Sequence, residues 1–281
     1  MKRKRKNMLS RTLFYILLVL ILVISLFPFF IMLMTSLKPT NEAISYNPTI
    51  LPEVVTLEHY QDVFNPSLFP FLTYFKNSMI VSFLAAFISV FIGIFGAYAM
   101  SKLNFKFKST MNSAFYTVYM FSGILLVVPL FKIISSLGLY NTRTSIIIVM
   151  IVQTLPTSIF MLKSYFDTIP KSIEEAAMID GLTRVQIVFY ITIPLAISGI
   201  ASVFVYAFMV AWNDYLFASI FVSSSEFFTL TVGLNSLFAT PDYVWGRMMA
   251  ASLLTALPVV IMYALSERFI KKNLVEGGVK G

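Results

Sequence analysis

The chain has 281 residues, of which 58% are apolar, 16% aromatic and only 12% charged. A soluble globular chain carries about 25% charged residues, so a fold this poor in charge cannot cover its own surface and a second, apolar solvent is implied. The absence of cysteine excludes a disulfide framework, a thiolate nucleophile and a thiolate metal site. A lone histidine, His59, does not make a zinc site or a Ser/His/Asp relay, and the net charge of +8 takes its meaning from where the charges lie.

Residues 1–11 are basic, with Lys2 to Lys6 in one cluster. An apolar run follows over 12–34, longer than the core of a cleaved leader, with Phe27-Pro28-Phe29-Phe30 where a small-residue cleavage site would stand. It reads as a retained membrane helix, since about 20 residues span the hydrocarbon. The segment 35–75 carries Pro39, Pro48, Pro52 and Pro66 with scattered charges, and is too small for an independent domain. Five further apolar stretches are long enough to span, at 76–100, 110–131, 144–163, 187–221 and 248–267, and a tail runs over 268–281. The fifth span exceeds what a bilayer needs, so part of it is expected to tilt or project. The expected fold is an all-α integral membrane protein with six transmembrane helices.

Basic residues gather on cytoplasmic segments. With the N-terminus inside, 16 of the 21 lie on inner segments, leaving Lys38, Lys76, Lys132, Arg143 and Arg247 outside. Both termini are therefore expected in the cytoplasm. Charges spread over four inner segments beside lipid headgroups do not form a nucleic-acid surface. Five spans carry a proline (Pro28, Pro129, Pro156, Pro194 and Pro258), each removing a backbone donor and bending its helix. These are either ordinary kinks or bends that shape a cavity.

The inner loop 164–186 within 76–267 is unlike the others. Ser172 and Glu175 have the Ser-x-x-Glu spacing of a capping box, Gly181 is placed for a left-handed helix end, and Thr183 with Gln186 forms a second box. The expected shape is a short helix, a glycine turn and a second helix entering the fifth span. Ala176 and Ala177 would let a partner approach the backbone, Met178 and Ile179 add apolar surface, and Glu174, Glu175 and Asp180 could pair with basic groups. The alternative is a helix resting on the membrane surface, but such helices usually have Lys/Arg-rich polar faces and this one is acidic. Glu175 has either a docking role or the capping role with Ser172.

Glu175-Ala176-Ala177, then three residues, Gly181, then nine residues, Ile191-Thr192-Ile193-Pro194, resembles the EAA signature of ABC-importer permeases, departing from it only in Ile193 where leucine is usual. Ser36-Leu37-Lys38, Asp180, Trp212-Asn213-Asp214 and the tail from Leu274 to Gly281 are similar to the maltose-type carbohydrate subgroup, in its second, six-helix subunit. The resemblance covers essentially the whole chain. It implies a type I importer fold, a coupling helix seated on a cytoplasmic ATPase, a tail reaching that ATPase through Gly277, Gly278 and Lys280, and half of a pore for a di- or oligosaccharide. Implied partners are a homologous second permease, two ABC ATPase subunits, an extracytoplasmic solute-binding protein and membrane lipid. ATP and Mg would sit on the ATPase, because the chain has no Gly-x-x-x-x-Gly-Lys-[Ser/Thr] loop, so it is expected to be non-catalytic and to carry no cofactor or metal of its own. Tyr206, Asn213 and Asp214 are substrate-path candidates, or else an interfacial tyrosine and a polar helix end. An ion-coupled carrier or channel is the rival reading, but it usually needs ionisable groups deep in the bilayer, and the middles of the six spans have none.

Overall fold

The computed structural model describes residues 2–45, 49–120, 123–239 and 244–277, and among these every regular element is helical. In chain order they are α1 (Lys2–Ser36), α2 (Thr40–Ala43), α3 (Glu58–Phe64), α4 (Phe71–Lys102), α5 (Lys108–Met120), α6 (Val127–Ser136), α7 (Arg143–Asp167), α8 (Lys171–Ile179), α9 (Arg184–Ile187), α10 (Ile193–Leu195), α11 (Ile197–Trp212), α12 (Leu216–Phe221), α13 (Leu230–Ser236) and α14 (Trp245–Gly277). Among the described residues, four helices are long and apolar enough to cross a membrane: Arg11–Ser36, Phe71–Lys102, Arg143–Asp167 and Trp245–Leu265. A fifth span results if the bent pair Arg184–Leu195 and Ile197–Trp212 counts as one. The protein is thus a multi-pass membrane protein.

Two expected spans are not single helices. Stretch 110–131 is divided into α5, a 3-10 turn at Gly123–Leu126 and α6. Glycine disfavours helix continuation, and Gly123 also permits close approach: a Cβ there would lie 2.5 Å from Gln153 Nε2 on α7. Pro129 falls in the first turn of α6, where its missing N–H leaves no bond broken. It starts a helix rather than kinking one. Stretch 187–221 is broken twice, by an 83° bend at Ala196 and by the Asn213–Tyr215 turn before α12, which accounts for its excess length. Pro28, Pro156 and Pro258 do lie inside helices.

The chain divides into two compact units. The first comprises Met1–Phe71 and Ser236–Leu257. In it, residues 11–30 of α1 are all exposed, as expected for an apolar helix whose surroundings are lipid. His59 on α3 is fully buried against Gly246, where a Cβ would fall 2.0 Å from the ring Nε2, and Arg247 donates to Asp62 at 2.9 Å. Burial holds the His59 imidazole below its ordinary range, although Glu58 and Asp62 draw it the other way.

The second unit comprises Leu72–Asn235 and Pro258–Gly281. Lipid tails are as apolar as leucine, so helices in it associate by close packing of small residues and by hydrogen bonds. Ser89, Gly93 and Ala97 recur at four-residue spacing on α4. Cβ atoms added at Gly93 and Gly96 would lie 3.3 Å from Leu162 and 3.1 Å from Ile159 on α7, and the Ser89 and Ser158 hydroxyls are 3.2 Å apart. Thr142 caps α7 by accepting from the Ser145 N–H, an interaction whose loss typically costs about 0.5–2 kcal/mol. Val81, Ile134, Val149, Met150, Phe217 and Phe221 make one buried cluster over α4, α6, α7 and α12. A second joins Ile94, Ala97 and Tyr98 of α4 to Leu162 and Phe166 of α7, Ala177 of α8 and Ile187 of α9.

Candidate functional site

The loop carrying the signature is built from backbone rules. Pro170 (φ −59°, ψ 135°) precedes α8, and the Ile173 N–H returns to its carbonyl at 3.3 Å. The helix therefore begins at Lys171, two residues ahead of where a Ser172 cap would put it. A capping residue must have non-helical dihedrals, and Ser172 is already inside the helix. The expected Ser172–Glu175 box is not formed, and Glu175 is exposed.

The other end is as expected. Gly181 has φ +88°, its N–H donates to the Met178 carbonyl at 3.1 Å, and the Leu182 N–H donates to the Ala177 carbonyl at 3.0 Å. This is the paired bonding of a Schellman motif, with Leu182 and Ala177 sharing one apolar cluster. Thr183 and Gln186 form the reciprocal capping box that starts α9.

The faces of α8 separate the candidates. Glu175, Ala176, Ile179 and Asp180 are exposed, Ile179 to 86%. Met178 is half-buried and Ala177 is buried. Glu174, expected on the docking face, points inward and is 3% exposed. Its Oε2 accepts from the Tyr98 hydroxyl at 3.3 Å and its Oε1 lies 3.7 Å from Lys102 Nζ. Lys102 also donates to the Ile169 carbonyl at 2.6 Å, and Arg184 acts on the Tyr98 hydroxyl. The reason for the inversion is spacing: Glu174 and Ala177, three apart, share the face that meets α4, and the only stable place for a carboxylate there is beside a cation. Sequence reading missed Tyr98 and Lys102. Lys102 was legible as a basic residue just beyond the span 76–100, but not as a partner of residue 174.

Beyond α9 the chain makes a π turn (Val188–Thr192), then Pro194, then the 83° bend, so the second half of the signature falls on a break between helices. Of the path candidates, Tyr206 on α11 is 37% exposed. Asn213 ends α11 with its amide donating to the Met209 carbonyl at 2.9 Å, and the Asp214 carboxylate accepts from the Phe217 and Ala218 N–H groups at 3.4 and 2.9 Å. Asn213 and Asp214 thus serve helix ends here. An apolar cleft of about 410 Å³ lies between α4, α11 and α14, with Phe87, Phe91, Phe204 and Met262 among its lining. Gly277 is the last residue of α14, while Gly278 and Lys280 lie outside the described residues. No cluster of three or more His, Cys, Asp or Glu that could hold a metal occurs among the described residues.

Residues 89–274 match the family described as "Binding-protein-dependent transport system inner membrane component". The chain is 69% identical, over 98% of its own length and 99% of the relative's, to the inner membrane ABC transporter permease protein YcjP of Escherichia coli (strain K12). It is 34% identical to the trehalose/maltose transport system permease protein MalG of Thermococcus litoralis, over 99% of both chains. It is also 34% identical to the sulfoquinovosyl glycerol transport system permease protein SmoH of Agrobacterium fabrum, over 93% and 91%. In fold it is similar to a chain of a bacterial ABC transporter that imports the polysaccharide alginate, with a TM-score of 0.80, 22% identity and coverage of 94% and 97%. The chain belongs to the family of binding-protein-dependent transport system inner membrane components, the non-catalytic permease subunits of ABC importers.

Proposed function

We propose that this protein is a sugar permease: one half of a translocation pore in a bacterial cytoplasmic membrane, driven by ATP hydrolysis on separate subunits. The observation that carries the reading is the α8–Gly181–α9 loop, which bears the family signature and offers Glu175, Ala176 and Ile179 as an exposed acidic and apolar face. That face suits a cleft with basic walls on a cytoplasmic ATPase, so both termini and the loop lie on the inner side. The tail, including Gly277, Gly278 and Lys280, would approach the same ATPase. ATP and its Mg would be held there, two ATPase subunits serving this chain and a homologous second permease, with an extracytoplasmic solute-binding protein delivering the sugar. Support for a sugar comes from the relatives named for trehalose/maltose and sulfoquinovosyl glycerol transport. A di- or oligosaccharide of this kind would meet aromatic and amide groups in the pore. Tyr206 is the better-placed contact, because the Asn213 amide nitrogen and the Asp214 carboxylate are engaged at helix ends.

The cycle needs two global states with different affinities for ATP and for the loaded binding protein. The break at Ala196 between the loop-proximal helix and α11 is where rocking of the loop would alter the span. The test is reconstitution with the ATPase, the second permease and the binding protein in liposomes, supplied with radiolabelled trehalose, maltose or sulfoquinovosyl glycerol. Uptake of at least one sugar is expected to require ATP on the ATPase side. Uptake driven by a proton or sodium gradient without ATP would overturn the reading in favour of an ion-coupled carrier.

A further inference from the structure

Tyr98, Ser101 and Lys102, all in the last turn and a half of α4, together bind three parts of the adjoining chain: the end of α7, the connector and α8. Tyr98 donates to Glu174 of α8 at 3.3 Å. Ser101 Oγ donates to Asp167, the last residue of α7, at 2.5 Å, and Lys163 holds the other oxygen of that carboxylate at 2.7 Å. Lys102 bridges the Ile169 carbonyl of the connector, at 2.6 Å, and the Glu174 carboxylate, at 3.7 Å. Lys108 donates to the Ser101 and Leu103 carbonyls at 3.2 and 2.8 Å, closing the end of α4. The Lys102 and Glu174 side chains are 3% and 4% exposed, so water and salt do not weaken the pair as they would on a surface. The two faces of α8 are thus chemically distinct, one tied to α4 by charge and the other open.

We propose that Glu174, Lys102 and Tyr98 are positioning residues forming a fixed joint, so that α8 and the end of α4 move as one lever and displacement of α8 reaches a membrane-spanning helix without slip. The proposal rests on the reading of α8 as the surface that meets the ATPase. Apolar contacts alone, such as those of Ala177, keep much of their energy when helices slide by a fraction of a turn. A buried ion pair does not, because sliding leaves both charges desolvated and apart. The joint therefore fixes register, which is a use buried polar groups are known to serve.

The chain contains no cysteine, so two introduced cysteines can be spin-labelled as the one reactive pair on this subunit. Lys171→Cys at the start of α8, about a turn ahead of the face of Glu175, Ala176 and Ile179, and Asn104→Cys just beyond α4 are both at exposed positions. Their separation is measured in the transporter assembled with its ATPase, without nucleotide and with ATP trapped, and also in the isolated chain. In the otherwise unaltered chain the separation is expected to be narrow and the same in both nucleotide states. In Lys102→Met the distribution broadens and becomes nucleotide-dependent, shifting by about 2 Å or more, because α8 follows the ATPase while α4 does not. The reversed pair Lys102→Glu with Glu174→Lys restores a narrow, nucleotide-independent separation. If Lys102→Met does not assemble, Glu174→Gln, which keeps shape and removes only charge, is measured in the same way. A separation that changes with ATP in the unaltered chain overturns the proposal. So does a narrow separation in both Lys102→Met and Glu174→Gln, or loss of ATPase association in Glu174→Gln with the separation unchanged, which would make Glu174 a contact to the partner. Failure of the unaltered chain to bind an ATPase refutes the docking reading instead, and the isolated-chain measurement still decides whether the joint exists.

Discussion

Glu174 and Glu175 are adjacent and chemically identical, yet one is buried beside Lys102 and the other, about 100° further round the helix, is exposed. Their substitutions therefore separate. Glu175→Gln is expected to weaken ATPase association while the chain folds and inserts normally, as read by co-purification. Ser172→Ala should leave association unchanged, because Ser172 is inside α8 and caps nothing. Removing either partner of a buried pair typically costs about 3–5 kcal/mol, so Lys102→Met is expected to lower thermal stability in detergent far more than Glu175→Gln. Gly181→Val places a β-branched residue at φ +88°, where even an unbranched L-residue costs roughly 1–2 kcal/mol. Because nothing lies within 4 Å of a Cβ there, the damage is to the aim of the turn alone. ATPase stimulation should fall in that variant with membrane insertion intact.

Elements in this protein are set apart by how closely they are allowed to approach. Gly199 on α11 and Gly233 on α13 lie against the rings of Tyr165 and Tyr74, where a Cβ would fall at 2.4 and 2.3 Å. Tyr74 is 4% exposed and cannot withdraw, whereas Tyr165 is 38% exposed and can. Gly233→Ala should therefore destabilise more than Gly199→Ala, within the roughly 1–3 kcal/mol typical of overpacking. Thermal unfolding of the two variants in the same detergent checks the order. The broken spans follow the same physics. Gly123 and Pro129 divide what hydropathy reads as one helix, and a π turn followed by Pro194 bends another. Hydropathy sums apolar character along a window and is blind to where the hydrogen-bond ladder is interrupted.

For the whole molecule, pH dependence separates the two units. His59 is the sole histidine, and burial depresses its pKa in the first unit. A depressed imidazole contributes stability that is present above the unfolded value of about 6.5 and is lost as pH falls through the folded value. Hydrogen exchange of the α3 amides is thus expected to accelerate as pH drops below about 6.5, after correction for the intrinsic rate. That acceleration should be smaller in His59→Gln. Exchange in α8, which has no histidine, should show no such step. The purified chain by itself is expected to show no ATP hydrolysis, measured as phosphate release.

Much about this protein was legible in residue order alone. Apolar runs set by bilayer thickness marked it as a multi-pass membrane protein, and the fixed spacing of Glu175, Gly181 and Pro194 marked the loop and its family. Those features are local: a helix end needs Gly181 and a capping box needs Thr183 and Gln186, all within a few residues. The division of labour along α8 was not legible, because it depends on which face of the helix meets α4, some 70 residues earlier in the chain. Ser172 lost its expected cap to a proline two positions before it. Glu174 exchanged docking for an internal pair because a buried cation was waiting there. For Asn213 and Asp214 the residue order had left two roles open, and the backbone groups at the end of α11 and the start of α12 select the polar helix end. Local hydrogen-bonding rules act within a turn, so sequence determines them, whereas the partner of a buried charge is chosen by packing between distant segments, and only the tertiary structure decides it.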